Sequence, residues 1–234
     1  MTHPRYGLIL LLVLAPGLLQ AEPPRASDED LVGLLSKVIL DVQHKTGSKD
    51  WAKAARGETL LSGDMVKTGA RSLAIIKLKD NSLVRVREYT ELTVTGSVSG
   101  DAFSKGVAIE RGVIGFVVPK QKPNEEFRFR SPTSVASIRG TGGAMIVAQN
   151  DTVTVVEGSV NVENLISSRV VTVEEGFTAI SRRDGSIETR PSSRAEREAA
   201  EGAIRSEDQP RQLKLQLRNS QGETEELIID YKEE

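Results

Sequence analysis

Histidine occurs twice in the chain, at His3 and His44, and cysteine is absent. The side chains that most often run acid–base or thiolate chemistry near neutral pH are therefore almost missing. His3 falls in the leader described below, which leaves His44 as the one candidate base. A Ser-His-Asp set would have to be built on it. Yet His44 stands beside Lys45 ahead of a turn, and no Gly-x-Ser-x-Gly stretch supplies a nucleophile. It reads as a structural or exposed histidine. A zinc site needs three or four His, Cys or carboxylate ligands, and no His- or Cys-based set can be assembled. Asp28-Glu29-Asp30 and the trio Glu223, Glu225 and Glu226 gather carboxylates. Neither has the glycine and terminal glutamate spacing of a calcium loop, so both read as solvated charge. No local feature nominates a carboxylate pair for glycoside cleavage.

Arg139-Gly140-Thr141-Gly142-Gly143 is the most conspicuous glycine-rich stretch. It lacks the Gly-Lys-Ser/Thr ending of a phosphate loop and lies between two apolar runs with no helix to face an anion. It reads as a backbone device that ends one strand and starts the next. In "EFRFR" the alternation sends Phe127 and Phe129 to one face of a strand and Arg128 and Arg130 to the other. Aromatics and cations on opposite faces do not make a nucleic-acid platform. "LVRVRE" reads in the same way, with Val84 and Val86 inward and Arg85 and Arg87 outward. Asn150-Asp151-Thr152 is a glycosylation sequon placed in a turn.

These residues must be positioned by a chain of 234 residues, 38% hydrophobic and 27% charged, enough for one sizeable core. A formal charge of −2 provides no global basic field for nucleic acid. The first residues, "MTHPRYGLILLLVLAPGLLQA", combine Arg5, an apolar run from Leu8 to Leu14, the breaker pair Pro16-Gly17 and a small residue at Ala21. That order predicts a signal peptide over residues 1–21, cleaved after Ala21. The run is shorter than the roughly 20 apolar residues a spanning helix needs, so no integral membrane segment is expected after cleavage. The expected location is periplasmic or secreted. Without cysteine there is neither a disulfide framework nor a lipid-modified N-terminus.

Residues 22–36 read as a linker or short helix, with Ser27 three positions before Asp30 as a cap. From Lys37 the apolar pattern has period two, in short runs bounded by Gly, Asp, Asn or Pro, through residue 181. The class this predicts is all-β: a two-sheet sandwich or roll with solenoid-like quasi-repeats. "IERGVIGFV", "VVEGSVNV" and "VEEGFTAI" set Gly112, Gly158 and Gly176 at equivalent junctions, each a corner between sheets. Residues 182–211 read as a charged linker with a short exposed helix starting near Ser193. Residues 212–234, with Leu213, Leu215 and Leu217 alternating ahead of Asn219–Gly222, read as a C-terminal β-hairpin.

"GETLLSGDMVKTGARSLAIIKLKDNSLVRVREYTELTV" resembles the opening of the FecR domain, with Gly63-Asp64, Thr68-Gly69, Ser72 and Asp80-Asn81-Ser82 in the family's order and Trp51 upstream. "GVAIERGVIGFVV", "FRFRSPTSVASIRGTGGAMIV" and "TVTVVEGSVNVE" resemble its second half, including Arg139-Gly140-Thr141. The likeness runs over residues 37–181. It implies a β domain of the cell envelope, of the kind found in regulators of iron-siderophore signalling, where the domain contacts a receptor. In those regulators an anti-sigma segment and a membrane helix precede the domain, and neither is seen here. Some signalling members are processed at a Gly-Thr bond, which the resemblance carries onto Gly140 and Thr141: the Thr141 hydroxyl would attack the preceding carbonyl. The leading expectation is a non-catalytic exported binding or sensing module with an envelope protein as partner and no cofactor or metal. The alternative is a structural or glycan-associated scaffold of the envelope, with cell-wall glycan as partner.

Overall fold

The computed structural model describes residues 31–99, 102–121, 125–205, 211–218 and 224–231. The leader with its cleavage after Ala21, Ser27, and the acidic run Asp28–Asp30 lie outside the described residues, as do the side chains of Glu223, Glu225 and Glu226.

Two sheets enclose one core. Across the first sheet the order is β4 (Thr59–Leu61), β1 (Leu31–Ile39), β6 (Leu73–Leu78), β7 (Leu83–Val86), β9 (Ala102–Val118), β12 (Thr141–Val147), β13 (Asp151–Glu157), β16 (Phe177–Ser181) and β17 (Ile187–Pro191). Across the second it is β3 (Ala52–Lys53), β2 (Val42–Lys45), β5 (Met65–Thr68), β8 (Glu91–Ser99), β9 again, β10 (Glu125–Arg130), β11 (Ser134–Ile138), β14 (Ser159–Asn164) and β15 (Val170–Glu174). All these pairs are antiparallel except β9 with β10. The all-β expectation and the two-sheet roll are what the structure shows.

The core follows from alternation. Leu35, Ile76, Val84, Ile114, Phe116 and Met145 point inward from the first sheet, and Val66, Leu92, Ile109, Phe127, Phe129 and Ile138 from the second. Phe129 touches Phe116 across the sheets at 4.8 Å and Phe127 along its own strand at 4.9 Å, in tilted packing. Each buried ring contributes on the order of 2–3 kcal/mol of transfer free energy.

The chain moves between sheets at residues with positive φ, among them Leu40, Gly63, Tyr89, Gly112, Gly140, Gly158 and Gly176. The three glycines expected as corners are corners. Gly112 matters most, because it lies inside β9. Residues of β9 before it pair with β8 and β10, and residues after it pair with β7 and β12. Its φ is 111°, and a Cβ there would come 2.3 Å from Thr90 Oγ1. Thr90 closes the bend: its hydroxyl accepts from Val113 N at 2.9 Å and lies 3.1 Å from Val113 O, to which it donates.

Two segments differ from the sequence reading. The linker or short helix expected over residues 22–36 is a strand from Leu31 onward, so the sheet begins before Lys37. Gly33 permits this: a Cβ there would lie 2.5 Å from the Lys77 carbonyl, so β1 packs against β6 more closely than a side chain allows. Ser36 adds a bond to Ile75 O at 3.0 Å. Within the expected linker 182–211, Ile187–Pro191 is the last strand of the first sheet, held by buried Ile187.

The helix near Ser193 is present as α1 (Arg194–Ile204), with Ser193 and Glu196 forming a reciprocal capping box. Glu196 also receives both terminal nitrogens of Arg190 at 2.7 and 2.8 Å, and that pairing draws its carboxyl down to about 2. The helix is not wholly exposed as expected. Ala200 and Ala203 are buried against Ala144 and Val156 on the outer face of the first sheet. The hairpin also forms, as β18 (Arg211–Arg218) paired with β19 (Thr224–Tyr231) in a sheet of its own.

Replacing Gly112 with Ala meets both an unfavourable φ and the Thr90 backbone. We expect a loss of roughly 3 kcal/mol or more, read as a lower urea midpoint with an unchanged m-value.

Candidate functional site

The outer face of the second sheet carries a groove of about 370 Å³. Its floor is Gly106 and Ala108 of β9. In register, Thr95 and Thr93 of β8 stand on one side and Arg128 and Arg130 of β10 on the other. Burial of Phe127 and Phe129 forces the two arginines outward, and both are exposed as the sequence pattern predicts. The floor has to be small at Gly106, since a Cβ there would lie 2.9 Å from the Arg128 carbonyl. Ser62 ends the groove, its hydroxyl accepting from Gly96 N at 3.1 Å. Guanidinium forks beside hydroxyls and a flat floor suit a carboxylate-bearing extended segment.

His44 lies elsewhere and is buried. Its Nδ1 is 2.9 Å from a Glu58 oxygen and its Nε2 is 3.0 Å from Asp64 Oδ2. A neutral ring has a single N–H, so both contacts are donated only when the ring is an imidazolium. Asp64 Oδ2 also accepts from Leu61 N at 2.9 Å, closing the turn at Gly63-Asp64. Burial alone would raise the Glu58 carboxyl, but the Ala55 N–H and the His44 ring outweigh it and hold the group below its usual range. This cluster ties β2 to the turns on either side of β4. The Thr46 hydroxyl also lies 3.3 Å from Nε2, so three side chains fix the ring between the turns.

Gly140 and Thr141 lie where the chain crosses from β11 to β12. Thr141 is buried and its hydroxyl donates to the Ser159 carbonyl at 2.7 Å. Gly158 packs against both: a Cβ there would meet the Gly140 carbonyl at 2.7 Å. Two further residues depart from expectation. Asp151 of the sequon is buried at the start of β13 and accepts from Ser131 and Ser134, the latter at 2.8 Å, so it is no exposed turn residue. Arg85, expected outward and exposed, is only 6% exposed, whereas Arg87 is half-buried.

Residues 64–161 match the family model described as FecR protein. Over that span the chain is similar to the FecR family. The matched FecR segment runs from the Asp64 turn to Asn161 of β14 and contains the groove floor, both of its arginines and the Gly112 bend. Strands β1–β4 and β15–β17 complete the same two sheets around it. Two crystal structures of a candidate anti-sigma factor from Parabacteroides distasonis ATCC 8503 share part of this chain path. Their TM-scores are 0.48 and 0.47 at 16% identity, over 55% of this chain and 60% of that one. No curated protein matches the chain.

Two outcomes are expected. Because the Thr141 hydroxyl is committed to Ser159, intact-mass analysis of the purified protein should show one uncut species, unchanged by Thr141→Ala. Removing His44 leaves Asp64 buried without its partner, so His44→Ala should lose roughly 3 kcal/mol at neutral pH. The Glu58 part of that difference has a definite sign. A folded value below the ordinary 4.5 gives stability that is complete above that pH and lost as pH falls through the depressed value. The gap between urea melts of wild type and variant should therefore narrow as pH falls below about 4.5.

Proposed function

We propose that this protein is an exported, non-catalytic FecR-domain module of envelope signalling, which binds a partner protein through the groove on its second sheet. The observation that carries the reading is the groove itself, where Arg128 and Arg130 flank a floor of Gly106 and Ala108 on an outward sheet face. The first sheet has its corresponding face covered by α1. An acidic, extended segment of a partner fits this arrangement, with carboxylates at the guanidinium forks and backbone over the bare floor. The FecR match supports a regulatory role, and the signal-peptide pattern of the sequence over residues 1–21 supports export.

The test places a photo-crosslinking residue at Thr93 of the tagged protein in intact cells and identifies what is captured. A discrete protein should be recovered, and Arg128→Glu with Arg130→Glu should lower its yield by about tenfold or more, consistent with the loss of two charge-assisted contacts. Capture that ignores the charge reversal would exclude the groove. Co-sedimentation with purified wall glycan in place of a protein partner would move the module to the scaffold class.

A further inference from the structure

The two ends of α1 are held to the first sheet in different ways. At its start the chain is tied by polar bonds. Ser192 N donates to the Gly176 carbonyl at 2.8 Å, and the Ser192 hydroxyl lies 2.7 Å from that of Thr178. Glu196 holds Arg190, and Arg197 donates back to the Ser192 carbonyl. Among the described residues, no hydrogen bond or ion pair joins residues 198–205 to the sheet. There the contact is made by Ala200 and Ala203 against Ala144 and Val156. The Ala203 carbonyl lies over Gly115, where a Cβ would come within 2.2 Å of it. Alanine methyls bury little apolar area, so this end gains little by docking. Clefts of about 300 and 530 Å³ run between helix and sheet, and Val113 and Ala199 line both.

Docking at this end also carries a penalty. Arg85 of β7 is registered against Gly115, beside the last turn of α1. It is buried, and its Nε and Nη1 are sealed from solvent without a hydrogen-bond partner. Arginine cannot escape by giving up its proton, so an unpaired guanidinium held away from water is unfavourable. Water is the partner that both nitrogens lack, and lifting the last turn of α1 from Gly115 admits it.

We propose that α1 is a lid on the first sheet, hinged at its anchored start and free to lift at its far end while the two sheets stay folded. Closed, it covers Gly115 and Ala144 and keeps Arg85 dry. Open, it hydrates Arg85 and bares a strip made of the registered pairs Ala144–Gly115 and Ile146–Val113, of which Ile146 is already 38% exposed. Arg85 sets the balance, because its unpaired charge destabilises only the closed form. The lid lies on the sheet face opposite the Arg128–Arg130 groove and does not rest on that reading.

Amide hydrogen exchange of the full chain, read by mass spectrometry, tests this. Residues 198–204 should exchange at least about a hundredfold faster than residues 144–147 of β12, at a rate that stays flat in low urea, as local opening requires. Arg85→Met removes the charge that the closed form penalises. It should slow the exchange of residues 198–204 by about tenfold and melt no lower than wild type. Ala199→Leu fills the clefts beside the helix without touching Arg85, so it should slow the same exchange and remains informative if Arg85→Met folds poorly. Exchange of residues 198–204 that matches β12 and rises with urea in step with it would overturn the lid, since the helix would then open only with the whole fold. Fast exchange that neither variant slows would overturn it too, because simple fraying of a helix end takes no account of Arg85 or of the clefts.

Discussion

The bend in β9 at Gly112 is the constraint on which the two sheets depend. One continuous strand is the central member of both, so the first sheet cannot be assembled around residues 112–118 without fixing where residues 102–111 begin the second. Thr90 clamps the bend by exchanging hydrogen bonds with Val113 and by filling the space a side chain at position 112 would need. Residues far apart in sequence are thereby placed at fixed separations: Phe116 from the far half of β9 meets Phe129 of β10, which is paired with the near half. Cooperative unfolding of the whole roll is the natural result, because neither sheet is complete without the other.

The same strand sets the two outer faces apart. Beyond the bend, Gly115 lets the backbone of α1 descend onto the first sheet, and Ala144, Ala200 and Ala203 keep that contact close. Before the bend, Gly106 and Ala108 leave the second sheet bare where Arg128 and Arg130 rise beside them. Small residues on one strand thus serve opposite ends, a seat for a helix on one side and an open floor on the other. Beneath the start of α1, the hydroxyls of Thr154, Thr178 and Ser192 form a buried chain at 3.1 and 2.7 Å, so the polar atoms under the helix are satisfied by one another.

Much of this was legible from local pattern. Alternation in "EFRFR" places both phenylalanines and both arginines correctly, and Ser193 with Glu196 marks the helix start, because both signals are complete within a few residues. "LVRVRE" carries the same alternation and yet misplaces Arg85, since the cover over that residue comes from α1, more than a hundred positions later. The His44 cluster was hidden for a related reason: Glu58 and Asp64 reach the ring only after the chain has crossed between sheets, and no spacing announces this. Strand ends were missed where a corner falls on an ordinary side chain. Leu40 and Tyr89 adopt positive φ without the glycine that would signal a break, so nothing in the local sequence marks the ends of β1 and β7.

The outermost strands carry a further consequence. β3 has two residues and β4 three, too few to template a neighbour, and β17 presents Glu188, Arg190 and Pro191 along its length. At the far border of the second sheet, β15 is longer and carries Val170, 59% exposed. A roll with this many strands is exposed to runaway polymerisation through its open backbone groups, and here most of the borders are too short or too charged to propagate it.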